Sequence, residues 1–252
     1  MISTTMRLIG RIWALVALKY LMFGYTRKRV RLFDIHTEGA EHLLEMQGRS
    51  YILVCNHVRS QDSLLKIFTW KPMRRFNHSI DGFVFERIVH EHTRQWIHIV
   101  AKYGRDQWYT SRPMRFLQEN VRQPLTRGQM EAGGYVPIDL KKGACRRDFL
   151  KSVARIVARR EPLLIFPEGN VFQEFQADRP LQTGAAHIAR SHRIPVLPAY
   201  VTGCNSWRPG QRVDVRFGEP ILTDGLSKQQ ITEEIRQSLQ SLQNLANADK
   251  AA

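Results

Sequence analysis

Tyr51-Ile52-Leu53-Val54-Cys55 is a short, wholly apolar run closed by Asn56, and a mostly polar stretch carries the chain on to Asp62. Ser63-Leu64-Leu65-Lys66-Ile67-Phe68 then turns apolar again with helical spacing. This pattern calls for a buried strand, a sharp polar turn and a helix start in direct succession. It places His57 where the strand leaves its sheet and Asp62 where the helix begins. A carboxylate there can turn back onto the imidazole. Accepting from one ring nitrogen, it sets the tautomer and leaves the other nitrogen to take a proton from a hydroxyl. His57–Asp62 is the single His-x4-Asp pair in a chain with nine histidines. On spacing alone, the plainer reading of two polar residues bonded locally on a loop stands first.

The rest of the chain repeats the alternation. Val30 to Ile35 reads as a first strand, and Gly39 to Leu43 as a turn before the strand at 51–55. A helix is expected over 63–70. Tyr135 to Asp139, after Gly133-Gly134, reads as a strand. Arg146 to Arg160 is an amphipathic helix with Phe149, Leu150, Val153, Ile156 and Val157 on its apolar face. Leu163 to Phe166 is a buried strand ended by Pro167-Glu168-Gly169. A helix over Gly184–Arg193, strands over Pro195–Val201 and Arg212–Phe217, and a closing helix over Lys228–Leu245 complete the pattern. In the closing helix Ile231, Ile235, Leu239, Leu242 and Leu245 make the apolar stripe. Strands alternating with helices make the class α/β, a mixed sheet flanked by helices. Two polar turns follow buried strands, at Asn56-His57 and at Pro167-Glu168-Gly169, and such strand ends are where sites form in α/β sheets.

With 252 residues, 43% of them hydrophobic, the chain can bury one substantial core. The division expected is an N-terminal segment over 1–29 and one domain over 30–252. The net charge of +15 exceeds what solubility needs and argues for an anionic partner. Cys55, Cys145 and Cys204 are odd in number and widely spaced, so neither a zinc site nor a disulfide framework is supported. Small buried apolar roles in a reducing compartment fit them.

Residues 1–25 are apolar but broken by Arg7, Arg11 and Lys19, and the uncharged stretch Ile12 to Leu18 is far below the roughly 20 residues needed to span a bilayer. Lys19 also argues against a signal peptide. On a wheel the three cations share one arc, with Ile9, Ile12, Trp13, Val16, Tyr20 and Phe23 opposite, while Leu15 and Leu18 spoil the separation. A helix lying in a membrane interface is expected, with Arg27-Lys28-Arg29 adding attraction to anionic lipid. Packing of this helix on the domain is the alternative. Residues 72–132 mix Arg74, Arg75, Arg94, Lys102, Arg105, Arg112, Arg115, Arg122 and Arg127 with Phe83, Phe85, Trp96, Trp108, Tyr109 and Phe116. That mixture suits lipid headgroups, nucleic acid, or a solvated surface over an aromatic core.

Taken together, four blocks resemble the glycerolipid acyltransferases of the lysophosphatidic acid acyltransferase superfamily. Asn56-His57-Val58-Arg59-Ser60-Gln61-Asp62 matches the NHx4D block, and Gly134-Tyr135-Val136-Pro137-Ile138-Asp139 is similar to the second block. Phe166-Pro167-Glu168-Gly169 matches FPEG, and Ile194-Pro195-Val196-Leu197-Pro198 the late IPVxP strand. The resemblance runs from about residue 30 to 222 and implies acyl transfer at a membrane. His57 would be the general base toward the acceptor hydroxyl, and Asp62 would orient and charge-balance it. Asn56, Arg59, Glu168, Gly169, Lys141 and Lys142 would bind substrate. Acyl-CoA or an acyl carrier protein would bring the acyl group as a thioester. A lysophospholipid such as 1-acyl-glycerol-3-phosphate would receive it. No metal, no other cofactor and no nucleic acid are expected, and the place of action is the cytoplasmic face of a membrane.

The chain departs from the family at cations. Leu140 stands where the second block ends in Arg, Asn170-Val171-Phe172 where Thr-Arg-Ser follows FPEG, and Gln182-Thr183 where a Lys often precedes the glycine. Lys141, Lys142, Arg59 or Arg179 could supply the missing charge. Other acceptors, a transacylase with a phospholipid donor, and a non-catalytic binder of anionic lipid or nucleic acid are the alternatives. A hydrolase lacks a placed nucleophile, since no serine sits in Gly-x-Ser-x-Gly.

Overall fold

The computed structural model describes residues 2–13, 27–28, 30–58, 80–102, 120, 127–128, 130–131, 134–138, 143–170, 172, 174–206 and 208–251. In chain order the elements are α1 (Ile2–Trp13), β1 (Asp34–Glu38), α2 (Ala40–Glu45), β2 (Ile52–Cys55), α3 (Ile80–Thr93), β3 (His98–Lys102) and β4 (Val136–Ile138). They continue with α4 (Gly143–Ala158), β5 (Leu163–Ile165), α5 (Gly184–His192), β6 (Val196–Thr202), β7 (Arg212–Phe217) and α6 (Lys228–Ala251). The chain divides into two compact units, one of Met1–Lys28 and His98–Arg155, the other of Arg29–Ile97 and Ile156–Ala252. Residues 1–28 group with 98–155, and the stretch 30–252 is shared between the two units. The helix expected at 63–70 lies outside the described residues.

The larger unit is built on a mixed sheet in the order β1-β7-β6-β2-β5. β2 lies parallel to both β5 and β6, β6 runs antiparallel to β7, and β7 is parallel to β1. Every residue of β2 and β5 is buried, which explains why both read as continuous apolar runs. At the sheet edge, β1 alternates exposed and half-buried positions. It lies later than the expected strand because Val30 and Phe33, the residues that suggested a strand, are buried before it begins. The expected turn at Gly39–Leu43 is instead the start of α2, with Gly39 in the left-handed region at φ 69°.

The closing helix α6 packs on β6 and α5. It buries Ile231, Ile235, Leu239, Leu242 and Ala246, while Leu245 is 53% exposed. Spacings of three and then four from Leu239 carry the buried stripe to Ala246, so Leu245 turns outward. α3 is buried almost all round, at Ile80, Asp81, Gly82, Phe83, Val84, Phe85, Ile88, Val89 and Thr93. Phe83 and Phe85 of the basic–aromatic stretch are therefore core residues, whereas Trp96 is exposed and stacks on His90 with ring centres 4.6 Å apart.

In the smaller unit β3 and β4 pair in parallel. Here Arg7 of α1 bonds Glu131, and Arg127 bonds both Glu131 and Asp148. Arg7, expected on the cationic arc of an interfacial helix, is thus engaged by a protein carboxylate, while Leu8 and Ile9 are exposed. Residues 14–26 and most of the basic stretch from 103 to 126 lie outside the described residues. Among the described residues no helix is long and apolar enough to cross a membrane.

Two glycines let the backbone close on β7. A Cβ on Gly39 would stand 2.3 Å from the Phe217 carbonyl oxygen, and one on Gly203, at φ 82°, would stand 2.1 Å from that of Arg212. Left-handed backbone and a backbone clash act together at Gly203. Gly203→Ala should lower unfolding free energy by about 2–4 kcal/mol in a denaturant titration. A loss no larger than that of an exposed Gly→Ala change would show that the turn relaxes around the methyl.

Candidate functional site

The register of the sheet brings two polar turns side by side. Val54 pairs with Ile165 and Cys55 with Ala199. The next residues of these strands, Asn56-His57, Phe166-Pro167 and Tyr200-Val201, therefore emerge together. Asn56 is buried and bonds the Val201 backbone twice: its Nδ2 donates to the Val201 carbonyl at 3.0 Å, and its Oδ1 accepts the Val201 amide at 2.8 Å. The Cys55 thiol also donates to that Oδ1. Asn56, expected among substrate-binding residues, acts here as a side-chain extension of the sheet ladder.

His57 is held on four sides. Its Nδ1 lies 2.7 Å from Oδ2 of Asp81, its backbone amide donates to Oε2 of Glu168 at 2.7 Å, and its carbonyl accepts the Phe172 amide at 2.9 Å. Its ring stacks on Phe166, with centres 4.0 Å apart and planes at 20°. A carboxylate only accepts, so the proton sits on Nδ1 and the lone pair on Nε2. Nε2 has no hydrogen-bond partner among the described residues. Burial works against the imidazolium, but the charge and hydrogen bond of Asp81 and the charge of Glu168 outweigh it, and the pKa of His57 rises above 6.5.

Asp81 is completely buried in the first turn of α3. Besides His57 it accepts the Val58 amide at 3.0 Å and the Gly82 amide at 2.8 Å. A buried carboxylate needs such donors, because an unpaired charge in an apolar interior is costly. The local spacing offered Asp62 for the place on the imidazole; the described structure puts Asp81 on Nδ1, and Asp62 lies outside the described residues. Arg59, Lys141 and Lys142 also lie outside them. The sequence does carry a signal for Asp81: a lone carboxylate inside the apolar run Ile80-Asp81-Gly82-Phe83-Val84-Phe85.

Glu168 and Gly169 belong to a tight turn. The Gly169 amide donates to the Phe166 carbonyl at 3.2 Å. Pro167 at the second position and a glycine at φ 66° at the fourth suit a type I turn. A Cβ on Gly169 would meet the Gln182 side chain at 3.0 Å. Glu168 is only 9% exposed, and its Oε1 is buried without a hydrogen-bond partner. Burial pushes its carboxyl up to about 7, opposed by the amide and charge of His57 and by the Gln176 amide. Cys55 and Cys204 are buried and free, with thiols raised by burial. The side chain of Cys145 lies outside the described residues. Among the described residues no cluster of metal-ligating side chains occurs.

This arrangement has the geometry a general base requires: an imidazole with one nitrogen fixed by a buried carboxylate and the other open among the described residues. The acyltransferase family model matches residues 76–202, half of the chain, taking in Asp81 and Glu168 and beginning after His57. The chain belongs to the acyltransferase family. A 1-acyl-sn-glycerol-3-phosphate acyltransferase of Cocos nucifera is 30% identical over 102 residues, 37% of this chain and 33% of that protein. One of Limnanthes douglasii is 24% identical over 127 residues, 47% of this chain and 45% of that protein. The chain thus matches less than half the length of either plant protein. The crystal structure of the 1-acyl-sn-glycerophosphate (LPA) acyltransferase PlsC of Thermotoga maritima superposes with a TM-score of 0.52, covering 97% of this chain and 95% of that one. At 15% identity this shows the shared mixed α/β fold.

The raised Glu168 carboxyl has a consequence for stability. Between its ordinary 4.5 and about 7 the unfolded chain has lost the proton that the folded chain keeps. Stability therefore falls as pH rises through that window, by about 3 kcal/mol in all. Glu168→Gln should gain on the wild type in melting temperature by several degrees between pH 5 and pH 8. A difference that stays constant with pH would show that Glu168 is ionised throughout.

Proposed function

We propose that this chain transfers a fatty acyl group from an acyl thioester to the hydroxyl of a lysophospholipid, with 1-acyl-glycerol-3-phosphate the first candidate. The observation that carries this is His57, its Nδ1 held by Asp81 and its Nε2 open beside the Glu168 turn. Nε2 takes the proton of the acceptor hydroxyl as that oxygen attacks the thioester carbonyl. Asp81 opposes the positive charge that grows on the imidazole. When the tetrahedral adduct collapses, the C–S bond breaks and the imidazolium returns its proton to the thiolate. The thioester provides the driving force, and the step as written uses neither a metal nor an acyl-enzyme. Such base catalysis supplies about 10²–10⁴-fold.

Glu168, with one oxygen on the His57 amide and one unpartnered, is the acceptor for a second donor on the lysolipid, such as a glycerol hydroxyl. Asp62 stays in the proposal as a second candidate for orienting the imidazole. Arg59, Lys141 and Lys142 stay as sources of charge toward phosphate. Association with an anionic membrane surface from the cytosolic side rests on the net charge of +15 and on α1 with its exposed Leu8 and Ile9.

The test is acyl transfer in mixed micelles, with acyl-CoA and acyl carrier protein offered against a panel of lysolipids. His57→Ala should abolish diacyl product. Asp81→Asn should lower kcat by about 10²–10⁴-fold and move the acidic limb of the pH–rate profile to lower pH, because the raised pKa of His57 depends on that charge. Normal turnover in His57→Ala sinks the reading. A loss confined to Asp62→Asn would transfer the orienting role to Asp62.

A further inference from the structure

We infer that Arg179 receives the anionic headgroup of the acceptor lipid and so sets which lysolipid this chain prefers; this rests on the acyl-transfer reading above. The loop from 170 to 183 leaves the Glu168 turn and comes back to it. It is tied at three described points. The Phe172 amide donates to the His57 carbonyl at 2.9 Å, the Gln182 amide donates to the Pro167 carbonyl at 2.7 Å, and Nε2 of Gln243 in α6 donates to the Phe175 carbonyl at 3.1 Å. Phe175 is buried beneath it. Phe172 is also bridged to Val58, the residue after His57. Its backbone therefore belongs to the same strand-end cluster as the base.

Over the Phe172 ring lies the guanidinium of Arg179, its central carbon 4.8 Å from the ring centre. A ring at that distance attracts a cation and restricts it without consuming its hydrogen bonds. Arg179 is exposed and makes no ion pair among the described residues, although Glu174 and Asp178 share its loop. Its five N–H donors are available in a planar fork, the geometry that suits a phosphate. Of the four cations the sequence offers for a headgroup, namely Arg59, Lys141, Lys142 and Arg179, it is the one within the described residues. An anion held there leaves the neutral hydroxyl end of the same molecule to reach His57.

Phosphate could also arrive on the thioester donor, so the experiment separates the two sources. Transfer to 1-acyl-glycerol-3-phosphate is compared with transfer to 1-acylglycerol, which has no phosphate, for the wild type, Arg179→Gln and Arg179→Lys. Arg179→Gln should reduce the preference for the phosphate acceptor by about 10- to 100-fold, mainly through its KM. Arg179→Lys should fall between, keeping charge but losing the planar fork. An unchanged preference, or a rise confined to the KM of the donor, overturns the inference. A second arm measures calorimetric binding of 1-hexanoyl-glycerol-3-phosphate to His57→Ala and to His57→Ala/Arg179→Gln, which does not depend on turnover. Weaker binding by the double variant supports the role of Arg179, and equal binding overturns it. If the wild type acylates nothing, the acyl-transfer reading fails by itself, and this binding arm still decides Arg179.

Discussion

A completely buried carboxylate governs this site. A carboxylate in the interior needs donors, and among the described residues Asp81 finds them at its own helix start, through Gly82, and at the end of β2, through His57 and Val58. The requirement works in both directions. The imidazole gains a fixed tautomer and a raised pKa, while the carboxylate gains partners it could not do without. The first turn of α3 is therefore pinned to the strand end by polar contacts, though the rest of that helix is held by apolar burial. Asn56 adds the other fixed point by joining β2 to β6 through the Val201 backbone.

Much of this was legible in the chain. Buried parallel strands leave continuous apolar runs, so β2, β5 and β6 were found close to their true bounds, and the turns that follow them pointed to His57 and Glu168. Asp81 is not legible from local spacing because its partner lies 24 residues away, whereas the His-x4-Asp pattern points only to Asp62. An acid in an otherwise apolar helix start was the available clue. β1 was placed too early because Val30 and Phe33 are apolar for reasons of burial outside any strand. α2 was hidden because a glycine that opens a short helix in the left-handed conformation resembles any turn glycine.

The cationic surplus proved less uniform than composition suggests. Arg7 and Arg127 are committed to Glu131 and Asp148 within the smaller unit, and Arg216 is buried against Glu38 and Asp249. These arginines act as internal ties. Arg179 differs in having an aromatic platform and, among the described residues, no ion pair with a carboxylate. Counting charges located an interest in anions but could not say which cations were already engaged.

The flanking of one histidine by two carboxylates has an effect on how a substrate enters. At long range the net charge of +15 would attract the anionic acceptor proposed above. At close range the carboxyls of Asp81 and Glu168 flank the imidazole, and Glu168 loses its proton at about 7, so the floor of the site is an acidic patch within a basic protein. Like charges repel there with little screening, because both carboxyls are shielded from water. The proposed acceptor, with a phosphate at one end and a hydroxyl at the other, would thereby be sorted by end: the same field that gathers it would refuse one of its two orientations.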